Sequence, residues 1–269
     1  MGSLRGKVVL ITGGSSGIGA ATARRLGRLG SRVVLAARNG EALEKVAEEV
    51  REQGGEALTV PTDVTDVEQV RRAVSETVAH YGGLDILICS AGISMRAYFA
   101  NSDLAAMERV MRVNFFGTLY ATYAALPHVR ERRGSLVAIS SLTGKRGIPS
   151  YAVYGASKFA IQGLYDALRI ELAPAGVHVG VVSPGFVDTP LRVHVLGPNG
   201  QPWPEPPPPP FRIWPVERCV DRIIRLLTRR RRQALLPAYT GPLLALDQLL
   251  GGWIGDRILG YSFPPEQRP

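Results

Sequence analysis

Tyr154 and Lys158 stand four residues apart, inside Tyr154-Gly155-Ala156-Ser157-Lys158. Four residues is about one turn of a helix, so a phenol and an ammonium at this spacing share a face. An ammonium beside a phenol favours phenolate and is expected to draw its pKa from about 10 towards neutrality. A tyrosine tuned that way passes a proton to or from a substrate oxygen. Solvated helices carry the same spacing by chance, so the pair takes its meaning from what lies upstream.

Upstream, Lys7-Val8-Val9-Leu10-Ile11 is a short apolar run expected to form a buried parallel strand. It breaks into Thr12-Gly13-Gly14-Ser15-Ser16-Gly17-Ile18-Gly19, and an alanine- and arginine-rich helix follows over about Ile18 to Leu29, ended by Gly30. A second strand, Ser31 to Ala37, completes a βαβ unit of the kind that binds nucleotides. Gly13 and Gly17 permit the tight turn, and Gly19 lets helix and strand approach closely. Ser15, Ser16, Gly17 and Ile18 carry the turn into the helix, whose first amides point at a pyrophosphate. At the end of the second strand an acid would select NAD, whereas an arginine takes a 2′-phosphate. The chain has Ala37 and then Arg38, whose guanidinium can fork onto phosphate, so NADP(H) is favoured over NAD(H). The alternative reading of Arg38 is an ordinary solvated loop arginine.

Over residues 5–192 the chain resembles the short-chain dehydrogenase/reductase family, in its short, single-domain form. The resemblance rests on the Thr-Gly-x-x-x-Gly-x-Gly turn from Thr12, on Asp63-Val64 after the strand Ala57 to Val60, and on Asn114 in Val113-Asn114-Phe115-Phe116-Gly117. It rests also on Ser141, thirteen residues before Tyr154, and on Pro184-Gly185-Phe186-Val187-Asp188-Thr189. One motif departs: Cys89-Ser90-Ala91-Gly92 replaces the family's Asn-Asn-Ala-Gly. Ala91 and Gly92 still let the backbone run close to the cofactor, but bonds made by the asparagines must come from Ser90, water or nothing. Cys89 is expected as buried packing.

The resemblance implies roles. Tyr154 would be the general acid for carbonyl reduction and the base for alcohol oxidation. Lys158 would tune it and hold the nicotinamide ribose. Ser141 would donate to the substrate oxygen, and Asn114 would hold a water linking Lys158 to solvent. Asp63 and Val64 would contact adenine. Pro184, Gly185, Val187 and Thr189 would hold the carboxamide side of the cofactor. The hydride is the cofactor's, while the protein supplies position and electrostatics.

These motifs need a scaffold. Further strands are expected at Leu84–Ile88, Ser135–Ile139 and Val177–Val182, with helices over Leu104 to about Arg130 and Ala152–Leu172. The expected fold is α/β, a Rossmann-like doubly wound parallel sheet with helices on both faces, forming one domain over residues 1–269. Ligands gather at the carboxyl ends of such strands. Residues 192–215, with the proline run 206–210, read as a stiff lid over substrate. Thr143, Tyr151, Phe186, Trp203, Phe211 and Trp214 are candidate substrate contacts, favouring a bulky, lipophilic, steroid- or lipid-like ketone or alcohol.

Residues 216–269 are expected as a helical and apolar extension. A helix over Val216 to about Arg229 runs into Arg229-Arg230-Arg231-Arg232, and an apolar stretch follows over 242–254. Residues 229–254 read either as an interfacial element facing anionic lipid or as helices packed on the core or a partner subunit. Homodimer and homotetramer are both compatible with the resemblance.

The chain has 269 residues, 45% hydrophobic, and a formal charge of +9. No nucleic-acid-reading module accompanies that charge, so nucleic-acid binding is not expected. Two cysteines, Cys89 and Cys219, fit a reducing compartment. His80, His128, His178 and His194 have no metal-ligand spacing, and no metal is expected. The first strand begins almost at once, and Gly6 breaks a myristoylation pattern, so a cytoplasmic location is expected, with peripheral membrane contact as the open alternative. Besides a reductase of free ketones, an acyl-thioester ketoreductase and a non-catalytic NADP-binding scaffold remain open; intact Ser141, Tyr154 and Lys158 argue against the last.

Overall fold

The computed structural model describes residues 3–205, 208 and 211–262. Apart from Pro208, the expected proline run 206–210 lies outside the described residues.

Seven strands form one parallel sheet: β1 (Val8–Thr12), β2 (Arg32–Ala37), β3 (Glu56–Pro61), β4 (Ile86–Cys89), β5 (Ser135–Ile139), β6 (His178–Pro184) and β7 (Gln233–Leu236), in the order β3-β2-β1-β4-β5-β6-β7. The chain reverses direction across the sheet between β1 and β4, which opens a crevice at their carboxyl ends. The central strands are apolar on both faces because both are covered. Val9 and Ile11 enter a core with α1 (Gly17–Arg28), α2 (Gly40–Glu52) and α8 (Val216–Thr228). Val8 and Leu10 enter a second core with α3 (Val67–Tyr81), α5 (Gly117–Glu131) and α6 (Ala152–Glu171). Alternation along one strand thus feeds two cores, which is the physical content of a doubly wound sheet.

The helix expected over Leu104 to Arg130 is broken in one place. α4 (Leu104–Met111) passes into a π turn over Arg112–Phe116 before α5 begins. The turn inserts a residue into the helical register and carries Asn114, fully buried, at its centre.

The extension also differs from a purely helical reading. After α8 the chain adds β7 beside β6, with Val181 opposite Gln233. The four arginines lie at the start of that strand. His178 Nε2 is 2.8 Å from the Arg231 carbonyl, and the Arg230 guanidinium donates to the carbonyls of Arg133 and Gly176. Beyond the other end of β7 come α9 (Thr240–Leu249) and α10 (Trp253–Ser262). Arginines and apolar helices therefore occupy opposite ends of β7. Arg146 pins the helices, pairing with Asp247 at 3.1 Å and with Asp256 at 2.5 Å and donating to the Gly252 carbonyl at 2.8 Å. Among the described residues no helix is long and apolar enough to cross a membrane.

Candidate active site

The glycine turn closes on itself through contacts that no side chain could share. Gly13 has φ +70°, and a Cβ there would lie 2.7 Å from the Ala91 backbone. Gly19 is helical, yet its Cβ would lie 2.2 Å from the Gly13 carbonyl oxygen. It thus packs behind the turn instead of lining the cavity. Ser16 caps α1 without a side-chain bond, which leaves the first helical amides for another acceptor. Gly13, Ser15, Ser16, Gly17 and Ile18 all line one large cavity. Arg38, Asp63 and Val64 border it on the β2–β3 side, and Ala91, Gly92, Pro184, Gly185, Val187 and Thr189 at the ends of β4 and β6. A bare amide-rich turn beside an exposed arginine fits a dinucleotide pyrophosphate, and Gly92 shows how close the floor is. A Cβ there would lie 3.2 Å from Asn114 Oδ1 and 3.5 Å from Lys158 Nζ.

Ser141, Tyr154 and Lys158 line the same cavity. Ser141 follows β5 and caps the short turn Leu142–Gly144, its Oγ accepting from the Thr143 amide at 3.2 Å. Its side chain is also hydrogen-bonded to Tyr154. Lys158 Nζ donates to the Ile139 carbonyl at 3.1 Å and stands 5.7 Å from the centre of the Tyr154 ring.

Two expectations need correction. The Tyr154 phenol is not drawn towards neutrality: burial pushes it up to about 12, against the pull of the Ser141 hydrogen bond. Burial likewise lowers Lys158 to about 8, with Cys89 opposing. Desolvation outweighs the helical neighbour because the ammonium is aimed at a carbonyl and faces the ring, not the hydroxyl. Asn114 does not turn its amide donors to a water. Nδ2 donates to the Ile93 carbonyl and to Ser157 Oγ, both at 3.0 Å, and Oδ1 accepts from the Ile93 amide at 2.8 Å. The π turn aims it across the cavity floor as a brace.

The substrate end is aromatic. Thr143, Tyr151, Phe186, Phe211 and Trp214 line the cavity, and Tyr151 sits 6.2 Å from Tyr154 and 6.3 Å from Phe186 between ring centres. Trp203 does not join them. Its indole N–H donates to the Arg96 carbonyl at 3.0 Å, which turns the ring behind the wall. The cavity measures about 1200 Å³, enough for a dinucleotide and a second molecule together.

The family model described as short chain dehydrogenase matches residues 7–197. The chain belongs to the short-chain dehydrogenase family. It is 38% identical over 278 residues to 11-beta-hydroxysteroid dehydrogenase-like 2 of Arabidopsis thaliana, covering 99% of this chain and 85% of that one. It is 40% identical to 11-beta-hydroxysteroid dehydrogenase-like 3 of the same plant, over 68% of this chain and 60% of the relative. A crystal structure of a dehydrogenase/reductase from Sinorhizobium meliloti superposes with a TM-score of 0.76 at 29% identity, covering 87% of this chain and 95% of that one. Short-chain dehydrogenases are oxidoreductases that use nicotinamide cofactors on small molecules, typically as oligomers.

Against that family background, the Cys89-Ser90 departure is repaired from the neighbouring strand. Thr12 Oγ1 accepts from the Ser90 and Ala91 amides at 3.3 and 3.4 Å. Cys89 is buried among Thr118, Thr122 and Tyr165, and burial holds its thiol at about 11. Sequence reasoning missed Arg96, and it named Thr143 as a candidate substrate contact without showing its unspent hydroxyl. Arg96 is 8% exposed yet lines the cavity. Thr143 Oγ1 is buried with no partner among the described residues. Neither lies in a motif, and only the fold brings them to the wall. Among the described residues no cluster of three or more potential metal ligands forms.

Proposed function

We propose that this short-chain dehydrogenase is an NADP(H)-dependent oxidoreductase that interconverts a bulky, lipophilic, steroid- or lipid-like ketone and its alcohol. The observation that carries the reading is one cavity in which the bare glycine turn, the Ser141–Tyr154 hydrogen bond and an aromatic wall face each other. The dinucleotide supplies or accepts the hydride. The first α1 amides would hold its phosphates, and Arg38 would take a 2′-phosphate. Arg38 supports this by being exposed beside the turn, with no ion pair among the described residues. Ser141 and Thr143 donate to the substrate oxygen. Tyr154, held protonated by burial, is the proton donor for reduction, and Lys158 holds the ribose. The steroid-dehydrogenase-like names of the relatives support the substrate class.

The protein is further read as one domain with a covering segment over 192–215. Its apolar α9–α10 rim makes peripheral membrane contact from the cytoplasmic side, and its assembly is homodimeric or homotetrameric.

NADPH oxidation with a panel of steroid and aliphatic ketones tests the reaction. Tyr154→Phe should lose about 10²–10⁴-fold in kcat while still binding NADPH. Equal rates in both proteins would remove Tyr154 from the mechanism. Arg38→Ala should weaken NADPH binding at least about tenfold, on the scale of a charge-assisted bond, and NADH binding far less. Equal losses would remove the phosphate role.

A further inference from the structure

The substrate wall depends on a side chain outside every motif. Arg96 lies in the loop after β4, and its backbone holds the segment that covers the cavity. Its amide donates to the Leu196 carbonyl at 2.8 Å, and its carbonyl accepts from the Trp203 indole. Its guanidinium is buried. It donates from Nη1 to the Pro208 carbonyl at 3.1 Å, lies 5.8 Å from the centre of the Tyr151 ring, and is hydrogen-bonded to the Tyr151 hydroxyl. Tyr151 is the ring between Tyr154 and Phe186, so its position sets the distance between the reacting phenol and the aromatic wall.

We propose that Arg96 is a positioning residue that fixes the Tyr151 ring against Phe186, and thereby selects bulky carbonyl substrates over small ones. A planar guanidinium holds a hydroxyl, a ring face and a carbonyl in one fixed fork, whereas an ammonium is a point charge on a flexible stem. Tyr151 cannot hold this place unaided. Burial raises its phenol above the usual tyrosine range, and without a donor the hydroxyl would be a buried polar group at a cost. A small ketone touches Ser141 and Tyr154 whatever Tyr151 does. A polycyclic one must also lie along the Tyr151–Phe186 edge. The effect of Arg96 therefore belongs in the binding of large substrates and not in the proton transfer.

The inference rests on the oxidoreductase reading, and its test separates the two. Androstenedione and cyclohexanone serve as the bulky and small ketones, with Arg96→Leu, Arg96→Lys, Tyr151→Phe and the Arg96→Leu/Tyr151→Phe double variant. Losing a hydrogen bond to a charged group corresponds to about a tenfold to hundredfold change. KM for androstenedione should rise by that factor in Arg96→Leu and Tyr151→Phe, with kcat changed less than about threefold. The rise for cyclohexanone should be at least about fivefold smaller. Arg96→Lys should fall between wild type and Arg96→Leu, and the double variant should be no worse than Arg96→Leu, because both changes cut one contact. NADPH titration of each variant confirms an intact fold. If the wild type turns over neither ketone, the enzyme reading fails on its own. The Kd of androstenedione for the NADPH-loaded proteins then gives the same comparison. Additive losses in the double variant, or equal losses for both ketones, overturn the proposal.

Discussion

Lys158 was legible as a chemical residue from its spacing, but its charge state was not. The four-residue interval correctly places ammonium and phenol on one helix. It says nothing of the Ile139 carbonyl that claims the ammonium, or of the burial that moves both groups. Lys158 is 4% exposed, and its pKa falls to about 8 from 10.5. At this site the unfolded chain therefore keeps a proton that the folded one has lost between about pH 8 and 10.5, so the Lys158 contribution to stability rises with pH across that window, while the raised thiols of Cys89 and Cys219 act oppositely above about pH 9. Below it the folded protein bears the full cost of the buried charge, about 3 kcal/mol for a shift of this size. Lys158→Met removes that cost but orphans the Ile139 carbonyl, for a net gain of about 2 kcal/mol at pH 7. Between pH 7 and 9.5 the gain should shrink by about 2 kcal/mol as the wild-type lysine discharges. Above pH 10 the raised Tyr154 works the other way, since the folded chain then keeps a proton that the unfolded chain releases. Urea unfolding of both proteins without nucleotide at the two pH values measures this. A difference that does not vary with pH would show that Lys158 is not buried as a charge.

The β1–α1–β2 unit was readable because it obeys two local rules at once. An apolar strand ends where glycines allow positive φ, and a helix begins where a small residue allows close approach. The two glycine roles can be separated. Gly19 has ordinary helical φ and fails only for space, whereas Gly54 has φ +79° with nothing within 4 Å of its Cβ. Gly54→Ala should cost about 1–2 kcal/mol of left-handed strain and leave NADPH affinity unchanged. Gly19→Ala must push the Gly13 carbonyl aside, so it should weaken NADPH binding at least about tenfold, a 1.4 kcal/mol displacement of the cradle. Unfolding midpoints and fluorescence titration of the two variants decide it. Equal NADPH affinities would mean that the turn tolerates a moved backbone. Two elements escaped the sequence for converse reasons. The π turn at Arg112–Phe116 leaves an apolar pattern that still reads as one helix, because one extra residue shifts the register without breaking it. β7 is four residues without a β-branched side chain, following four arginines, and it becomes a strand only because β6 offers an unpaired edge.

At the scale of the molecule, the arginines and the apolar tail read as one membrane-facing segment, but β7 separates them. The Arg229–Arg232 run gathers with Arg130, Arg132 and Arg133 at the end of the sheet where strands begin, all seven exposed. The apolar surface is at the other end. Leu246 and Leu249 of α9 and Trp253 of α10 are 51%, 84% and 65% exposed, and Leu243 of α9 lines the cavity. Apolar side chains exposed on the helix that reaches the cavity support the proposed lipid contact at this end, and Arg146 holds these helices beside the Ser141 turn. Burying two leucines in an interface contributes about 3 kcal/mol or more. Leu246→Glu/Leu249→Glu should therefore cut partitioning onto phosphatidylcholine vesicles more than tenfold. Replacing Arg229–Arg232 with glutamine should leave that partitioning nearly unchanged, since those side chains point to the far end of the sheet edge. Cosedimentation of both variants with the vesicles separates the two surfaces. The opposite ranking would put lipid at the arginine end. A leucine variant that changes its elution in size-exclusion chromatography, with no change on vesicles, would mean that a second copy of the chain covers this face.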